Sequence, residues 1–461
     1  EYYLTLSFTL AEATPWADAG HETAWAQFAV PFPTPEVQPV NVAALPTLIL
    51  TESNAQAIVA GPDFELVFDK QAGTVTSLRY QGHDLLVSGP KANFWRAPTE
   101  NDLAGWGDER AAVRWREIGL DRLEEHVEAV AVTQSAPQVV EITIHSVCVP
   151  GAGFTAPLPP LGPEQQPEML MQFLMWALDK PTLEAFCTHV NIPYDSLPGT
   201  IKSAKLKALI GHFASENRLP ELVLGLYHFL KEFAPDKVRP EFEAALFPEK
   251  AGAPAPKPEA PIPARFENTY TYIIYGSGDV VIEHHVIPEV PELPFLPRIG
   301  LQMTVPGGYE QFTWYGRGPH ETYVDRNYSA QVGVYSGTVD EQYVPYIVPE
   351  ENGNKTEVRW VVLTNDAGVG LLAVGAPWME VSAHHYTTQD LTEATHTYEL
   401  HRRDDITLNL DYAQSGLGSA ACGPGRRPEY QLKPVETRYR VRLRPFSQAT
   451  ESPMALSKQR L

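Results

Sequence analysis

Apolar and polar positions alternate with a period of two along most of this chain. Phe64-Glu-Leu-Val-Phe-Asp69, Val139-Val-Glu-Ile-Thr-Ile144, Tyr270-Thr-Tyr-Ile-Ile274, Val280-Val-Ile-Glu283, Val358-Arg-Trp-Val-Val-Leu363 and Tyr439-Arg-Val-Arg-Leu443 are rich in β-branched and aromatic residues, which suit a pleated, half-buried surface. Clusters such as Asp69-Lys-Gln-Ala-Gly73 and Tyr275-Gly-Ser-Gly-Asp279 punctuate them and read as turns. Many strands without regular strand–helix alternation predict a sandwich rather than a (β/α)₈ barrel. The segment Glu1–Leu10 already alternates like the middle of a strand, with no signal-peptide pattern, so residue 1 reads as a cut in a longer chain.

The period changes between about residues 164 and 247. Met169, Phe173, Trp176, Leu183, Phe186, Ile201, Leu206, Leu209, Ile210, Leu222, Leu226 and Phe229 recur at helical spacing, which predicts a small bundle of amphipathic helices. Pro157 to Pro163 precede it, and the Pro/Ala-rich stretch 248–264 follows as a stiff tether. Strand patterning resumes near Phe266, so the helices are expected as an insertion in a β-hairpin, a placement that loop-closure entropy tolerates.

Composition narrows the partners. A formal charge of −22 leaves no basic patch for phosphates, which disfavours nucleic acid and anionic membrane and favours neutral polar ligands. The three cysteines, Cys148, Cys187 and Cys422, lie far apart with no CxxC spacing, so neither a zinc knuckle nor a disulfide framework is expected, and the default setting is the reducing cytoplasm. The longest apolar run, Met169 to Leu178, is too short to span a bilayer.

The segment with the most chemistry is Asn93-Phe-Trp-Arg-Ala-Pro-Thr-Glu-Asn-Asp102, followed by Trp106 and Trp115. Arg96, Asn101 and Asp102 beside aromatic rings could bind sugar hydroxyls, or could satisfy buried backbone groups of a turn. His384-His385, adjacent on a strand, should diverge into one buried and one exposed imidazole. His320 and Glu321 are expected to orient their own turn. Glu350 and Glu351 are neighbours whose side chains should point apart, which argues against a catalytic pair.

Three further stretches, Trp314-Tyr-Gly-Arg-Gly-Pro-His-Glu-Thr-Tyr-Val-Asp325, Pro345-Tyr-Ile-Val-Pro-Glu-Glu-Asn-Gly-Asn354 and Gly416-Leu-Gly-Ser-Ala-Ala-Cys-Gly-Pro424, together with the Asn93–Asp102 segment, resemble the small-chain domain of glycoside hydrolase family 2 β-galactosidases. Ala13-Thr-Pro-Trp-Ala-Asp-Ala-Gly-His-Glu-Thr-Ala-Trp-Ala-Gln27 resembles the end of the immunoglobulin-like domain before it. The resemblance implies a mainly β chain, a large antiparallel sandwich of galactose-mutarotase-like type over 46–155 and 265–447. The end of an immunoglobulin-like sandwich would occupy 1–45, the helical insert 160–247, the linker 248–264 and a tail 448–461.

It also implies a retaining β-galactosidase whose two catalytic glutamates sit on a barrel outside this sequence, as do the residues for magnesium and sodium. No catalytic residue or metal ligand is therefore expected here. The family's late loop can stack an aromatic residue on galactose; Cys422 stands at that place, either lining the pocket rim or buried and inert. The insert, from about Leu178 to Pro235, resembles bacterial effector-associated, death-like helical domains, which implies pairing with a like domain on another protein. Lys202, Lys205 and Lys207 would form the charged face, or an ordinary solvated one. A free-standing carbohydrate-binding protein using Arg96, Asn101 and Asp102, or an interaction scaffold, are the competing readings.

Overall fold

The alternation becomes antiparallel pairing wherever the sequence carries it. The computed structural model describes residues 1–33, 37–104, 110–151, 174, 178, 180–198, 202–215, 218–233, 262–290, 293, 295–420 and 423–461. They fall into two compact units: Glu1–Phe154 with Pro263–Leu461, and Thr155–Ile262.

The first unit is built from sheets. β1 (Tyr2–Thr9) and β2 (Glu22–Val30) form a ribbon. β3 (Ile49–Glu52), β4 (Gln56–Ala60), β5 (Phe64–Asp69), β6 (Thr74–Tyr80) and β7 (His83–Leu86) form a meander in sequence order. The large sheet contains β8 (Ser88–Asn93), β9 (Leu123–Ala136), β10 (Val139–Pro150), β11 (Arg265–Tyr275), β12 (Val280–Glu289), β13 (Arg298–Val305), β14 (Gln311–Gly318), β15 (Gln331–Thr338), β16 (Lys355–Thr364), β17 (Val369–His384), β18 (Ile406–Gln414) and β19 (Thr437–Ser447).

The large sheet forks at β17. Its first half, Val369 to Gly375, pairs with β19 and leads through β12, β11 and β10 to β9. Its second half, Glu380 to His384, pairs with β18, which pairs with β13 and so with β8. The two branches and the meander enclose one core, in which Phe68 of β5 meets Tyr272 of β11 edge to face at 5.6 Å. Strict in–out burial along β11 puts Tyr270, Tyr272 and Ile274 inside; each such side chain contributes roughly 1.5–3 kcal/mol by leaving water. β10 and β11 pair in register from Val139↔Tyr275 to Cys148↔Phe266, so the chain of the second unit leaves and re-enters at the open end of a hairpin.

Two short helices interrupt the strands, α1 (Glu100–Leu103) and α2 (Ala111–Glu117). In the second unit, α3 (Lys180–His189), α4 (Lys202–Ser215) and α5 (Leu219–Phe233) pack Phe186, Leu206, Leu209, Leu222, Leu226 and Leu230 into their own core, the spacing of an amphipathic stripe. The expected positions Met169, Phe173, Trp176 and Ile201, and almost all of the 248–264 tether, lie outside the described residues. After α6 (Thr388–Glu393), the terminal segment is docked. The α7 helix (Pro453–Ser457) is capped by Ser452 and buries Leu456, whose carbonyl takes a hydrogen bond from Arg442 at 2.6 Å.

Candidate functional site

The four quoted β-segments meet around the backbone of the late loop, Ser415 to Gly418. Thr99 starts α1 with a capping box, its backbone N–H donating to Asp102 at 3.0 Å. This holds the Asp102 carboxylate under the Arg96 guanidinium, which donates Nε at 3.2 Å and Nη2 at 3.0 Å. The pair is bidentate and fully buried. Arg96 then spans 319 and 320 residues of chain to donate to the Ser415 and Gly416 carbonyls. Asn101 Nδ2 donates to the Gly418 carbonyl at 2.8 Å. From the other side, Asp325 accepts the Leu417 N–H at 3.0 Å and the Gly418 N–H at 2.7 Å. Arg426 closes the ring on Asp102 and packs over Phe295 at 4.5 Å.

These charges survive burial because they are paired. Burial alone would raise the Asp102 carboxyl, but Arg96 and Arg426 outweigh it and hold the group below the ordinary carboxylate range. Burial likewise opposes the charge on Arg96, and Asp102 overcomes it. A second buried cation lies nearby: Arg298 of β13 sits between Glu351 at 2.7 Å and Asp411 of β18 at 3.0 Å. Gln414 bridges Glu351 at 3.3 Å to Asn354 at 3.2 Å, and Asn354 donates to Glu380 at 2.8 Å. Gly300 makes room for this cluster, because a side chain there would meet Asp411 Oδ1 at 1.9 Å. Burial pushes Glu380 up to about 7, against the Asn354 hydrogen bond. At the rim, burial pushes Glu350 up to about 7 while its Oε2 accepts the Glu100 N–H at 2.8 Å.

The structure corrects the expected site in several places. Arg96 and Asp102 expose no surface and have no atom to offer a sugar; their polar groups are taken by each other and by the loop, the turn-satisfying alternative. Asn101 is half-buried and also bound to the loop. Cys422 and Trp106 lie outside the described residues. Both His384 and His385 are buried; His384 Nε2 donates to the Asn352 carbonyl and His385 Nε2 contacts the Glu310 carboxylate, each at 2.9 Å. The expected divergence fails because β17 ends at His384, so His385 no longer obeys strand alternation. Glu350 and Glu351 do part, but in a loop rather than a strand, toward Glu100 and Arg298. His320 bonds Ser329 Oγ at 2.8 Å and Glu321 accepts the Gly353 N–H at 2.7 Å, so both brace their turn.

In the insert, Lys205 is not part of a docking face. It is buried, donating to the Tyr194 and Leu197 carbonyls at 2.9 Å each, with its ammonium 4.5 Å from the Tyr194 ring centre. Lys207 is exposed, and the Lys202 side chain lies outside the described residues.

Asp325, Arg298, Asp411 and Arg426 received no role from the sequence. A signal existed for Asp411: Thr407, Asn409 and Asp411 repeat on one face of an otherwise apolar strand, the mark of a buried polar seam.

Comparison with known proteins matches this architecture. The β-galactosidase small-chain family model matches residues 60–157 and 245–443, the model of β-galactosidase domain 4 matches 1–31, and the effector-associated domain 7 model matches 170–227. A β-galactosidase of Priestia megaterium is 29% identical over 433 residues, 94% of this chain and 30% of that protein. One from Arthrobacter sp. is 25% identical over 475 residues, 96% of this chain and 33% of the relative. One from Vibrio cholerae is 36% identical over 176 residues, covering 38% and 16%. The chain thus spans about a third of the length of its longest-matching relatives. A galactose mutarotase related enzyme from Lactobacillus acidophilus aligns over 88% of this chain and 99% of its own at TM-score 0.32 and 7% identity; the strand pairing, not this likeness, defines the fold. With a small-chain match over both halves of its large sheet, this chain belongs to the β-galactosidase small-chain family.

Proposed function

We propose that this chain is the carboxy-terminal portion of a retaining β-galactosidase that hydrolyses terminal β-D-galactosyl residues, and that it supports and borders an active site built mainly by a catalytic barrel elsewhere in the enzyme. The observation that carries the reading is the convergence of Arg96, Asn101 and Asp325 on the Ser415–Gly418 backbone. A loop held by buried charge-assisted bonds on both edges is positioned to the tolerance that a substrate-facing wall requires. On this reading Arg96, Asn101 and Asp102 act on substrate only through the loop.

A second observation supports a larger assembly. Tyr2, Leu4, Leu6 and Phe8 share one face of the β1–β2 ribbon with Phe28 and are 43–60% exposed, an apolar patch of the kind that marks an interface. We assign its cover to the remainder of an immunoglobulin-like domain. The catalytic glutamates, and the residues for magnesium and sodium, belong to the barrel in this reading, and the enzyme works in the cytoplasm. No helix among the described residues is long and apolar enough to cross a membrane. The insert recruits a like helical domain through a surface that includes Lys207 but not Lys205.

The test is hydrolysis of a nitrophenyl galactoside by the complete enzyme carrying Asp325→Ala. A raised KM or lowered kcat, measured well below the variant's own melting transition, supports loop positioning; wild-type kinetics overturns it. A melting-temperature rise of this chain alone with galactose would instead favour a free-standing sugar-binding protein.

A further inference from the structure

Three potential ligand atoms converge in the first unit, none of them belonging to the residues that hold the late loop. Glu310 precedes β14, Asp340 follows β15, and His385 follows β17; one ligand atom from each lies within 4.8 Å of the others. The segments are stitched together by backbone bonds, Val339 N–H to Glu310 O at 2.9 Å and Arg403 N–H to His385 O at 3.0 Å, so the grouping is a rigid property of the fold. His385 is buried, whereas Glu310 and Asp340 keep 31% and 57% of their side chains exposed, which leaves an open side for water.

Arg402 occupies the middle of this group. Its guanidinium lies 3.0 Å from Asp340 Oδ1, 3.6 Å from Glu310 Oε1 and 3.0 Å from His385 Nε2. An Arg N–H can only donate and a carboxylate can only accept, so His385 Nε2 is shared between the Arg402 guanidinium and the Glu310 carboxylate. His385 Nε2 stands 2.9 Å from Glu310 Oε2, a contact that a proton or an ion can bridge. That separation is the edge expected between adjacent ligands on an ion with bonds of about 2.0–2.2 Å. His385 Nδ1 is also buried with no hydrogen-bond partner, so only the Nε2 edge of the ring, the one facing the two acids, is tied to the protein.

We propose that Glu310, Asp340 and His385 form a site for a borderline divalent ion such as Zn²⁺ or Mn²⁺, with Arg402 as a built-in cationic plug that the ion displaces. One imidazole and two carboxylates with an open face suit such ions better than Ca²⁺ or Mg²⁺, which take all-oxygen shells. The proposal departs from the expectation that this chain holds no metal ligands.

The plug makes a prediction that a plain ion-pair network does not. Titration of this chain with ZnCl₂ by calorimetry should show one site. Arg402→Gln should tighten it about tenfold, and Asp340→Asn or Glu310→Gln, both at partly exposed positions, should weaken it at least about tenfold. Melting curves without zinc confirm that each variant folds. No binding, zinc binding unchanged by Asp340→Asn, or binding by Arg402→Gln no tighter than wild type would each overturn the proposal.

Discussion

Asp325 holds Gly418 by its backbone: the carboxylate receives the Gly418 N–H at 2.7 Å across 93 residues of chain. The same carboxylate takes the Leu417 N–H, so one side chain satisfies two successive amides that strand pairing leaves free.

Removing that carboxylate should cost more than an ordinary surface change. Asp325→Ala removes two charge-assisted bonds and should destabilise the first unit by about 2–3 kcal/mol. Urea denaturation measures the loss, and faster hydrogen exchange confined to Leu417 and Gly418 locates it. Asp325→Asn, which keeps one acceptor oxygen, should lose less. Gly416→Ala should behave like Asp325→Ala, because its side chain would meet the Asp325 carboxylate at 2.5–2.6 Å.

The Arg96–Asp102 pair should show strong coupling. Arg96→Met leaves Asp102 buried beside Arg426 alone and abandons the Ser415 and Gly416 carbonyls, a loss of about 3–5 kcal/mol. The double variant Arg96→Met with Asp102→Leu should cost less than the sum of its parts by a coupling energy of about 1–3 kcal/mol in a double-mutant cycle. Additive costs would mean that the two side chains act separately.

The contribution of Glu350 and Glu380 to stability should fall as pH rises from about 4.5 to 7, against the gain that the burial-lowered imidazoles of His284 and His384 supply over much of the same range. Burial lifts Glu350 and Glu380 from the ordinary glutamate value of 4.5 to about 7 in the folded state. Across that window the unfolded chain sheds protons that the folded chain keeps, so raising the pH favours unfolding. The stabilising contribution is complete below pH 4.5 and lost above 7. Glu350→Gln and Glu380→Gln, which retain a carbonyl for Glu100 N–H or Asn354, should each gain Tm relative to wild type as pH rises from 5 to 7.5. A Tm difference from wild type that does not change with pH in either variant would remove these two carboxyls from the account.

The two described lysine side chains of α4 should separate cleanly. Lys205→Ala strands two buried carbonyls and removes the contact with the Tyr194 ring, so the second unit should lose about 1–3 kcal/mol. Lys207→Ala, at an exposed position, should stay within about 0.5 kcal/mol of wild type. Circular dichroism of the helical transition distinguishes them.

Much of the fold was legible because it is local. The burial of β11 follows its sequence alternation residue by residue, and the stripe of α5 is visible as Leu222, Leu226 and Leu230. Segments that matter for the site were also legible as unusual strings. Their roles were not, because burial of Arg96 is decided by carbonyls more than 300 residues away, and an arginine that will be buried reads the same as one that will face a ligand. Lys205 was misread for the opposite reason: its partners are near in sequence, but the turn at Tyr194–Ser196 that aims their carbonyls carries no periodic signal. The β17 fork was invisible as well, since one continuous strand pattern serves two neighbours.

The β10–β11 hairpin has its own consequence for how the molecule can be assembled. Ten consecutive residue pairs, Val139↔Tyr275 through Cys148↔Phe266, join two stretches separated by the whole second unit, and β9 and β12 flank them on either side. Covalent continuity across Thr155–Ile262 is therefore not what keeps these strands together. A protein severed between those points is expected to persist as a non-covalent pair of pieces, and a gene split there to yield two polypeptides able to find each other. That makes the second unit a cassette whose exchange or loss leaves the sheet's pairing intact.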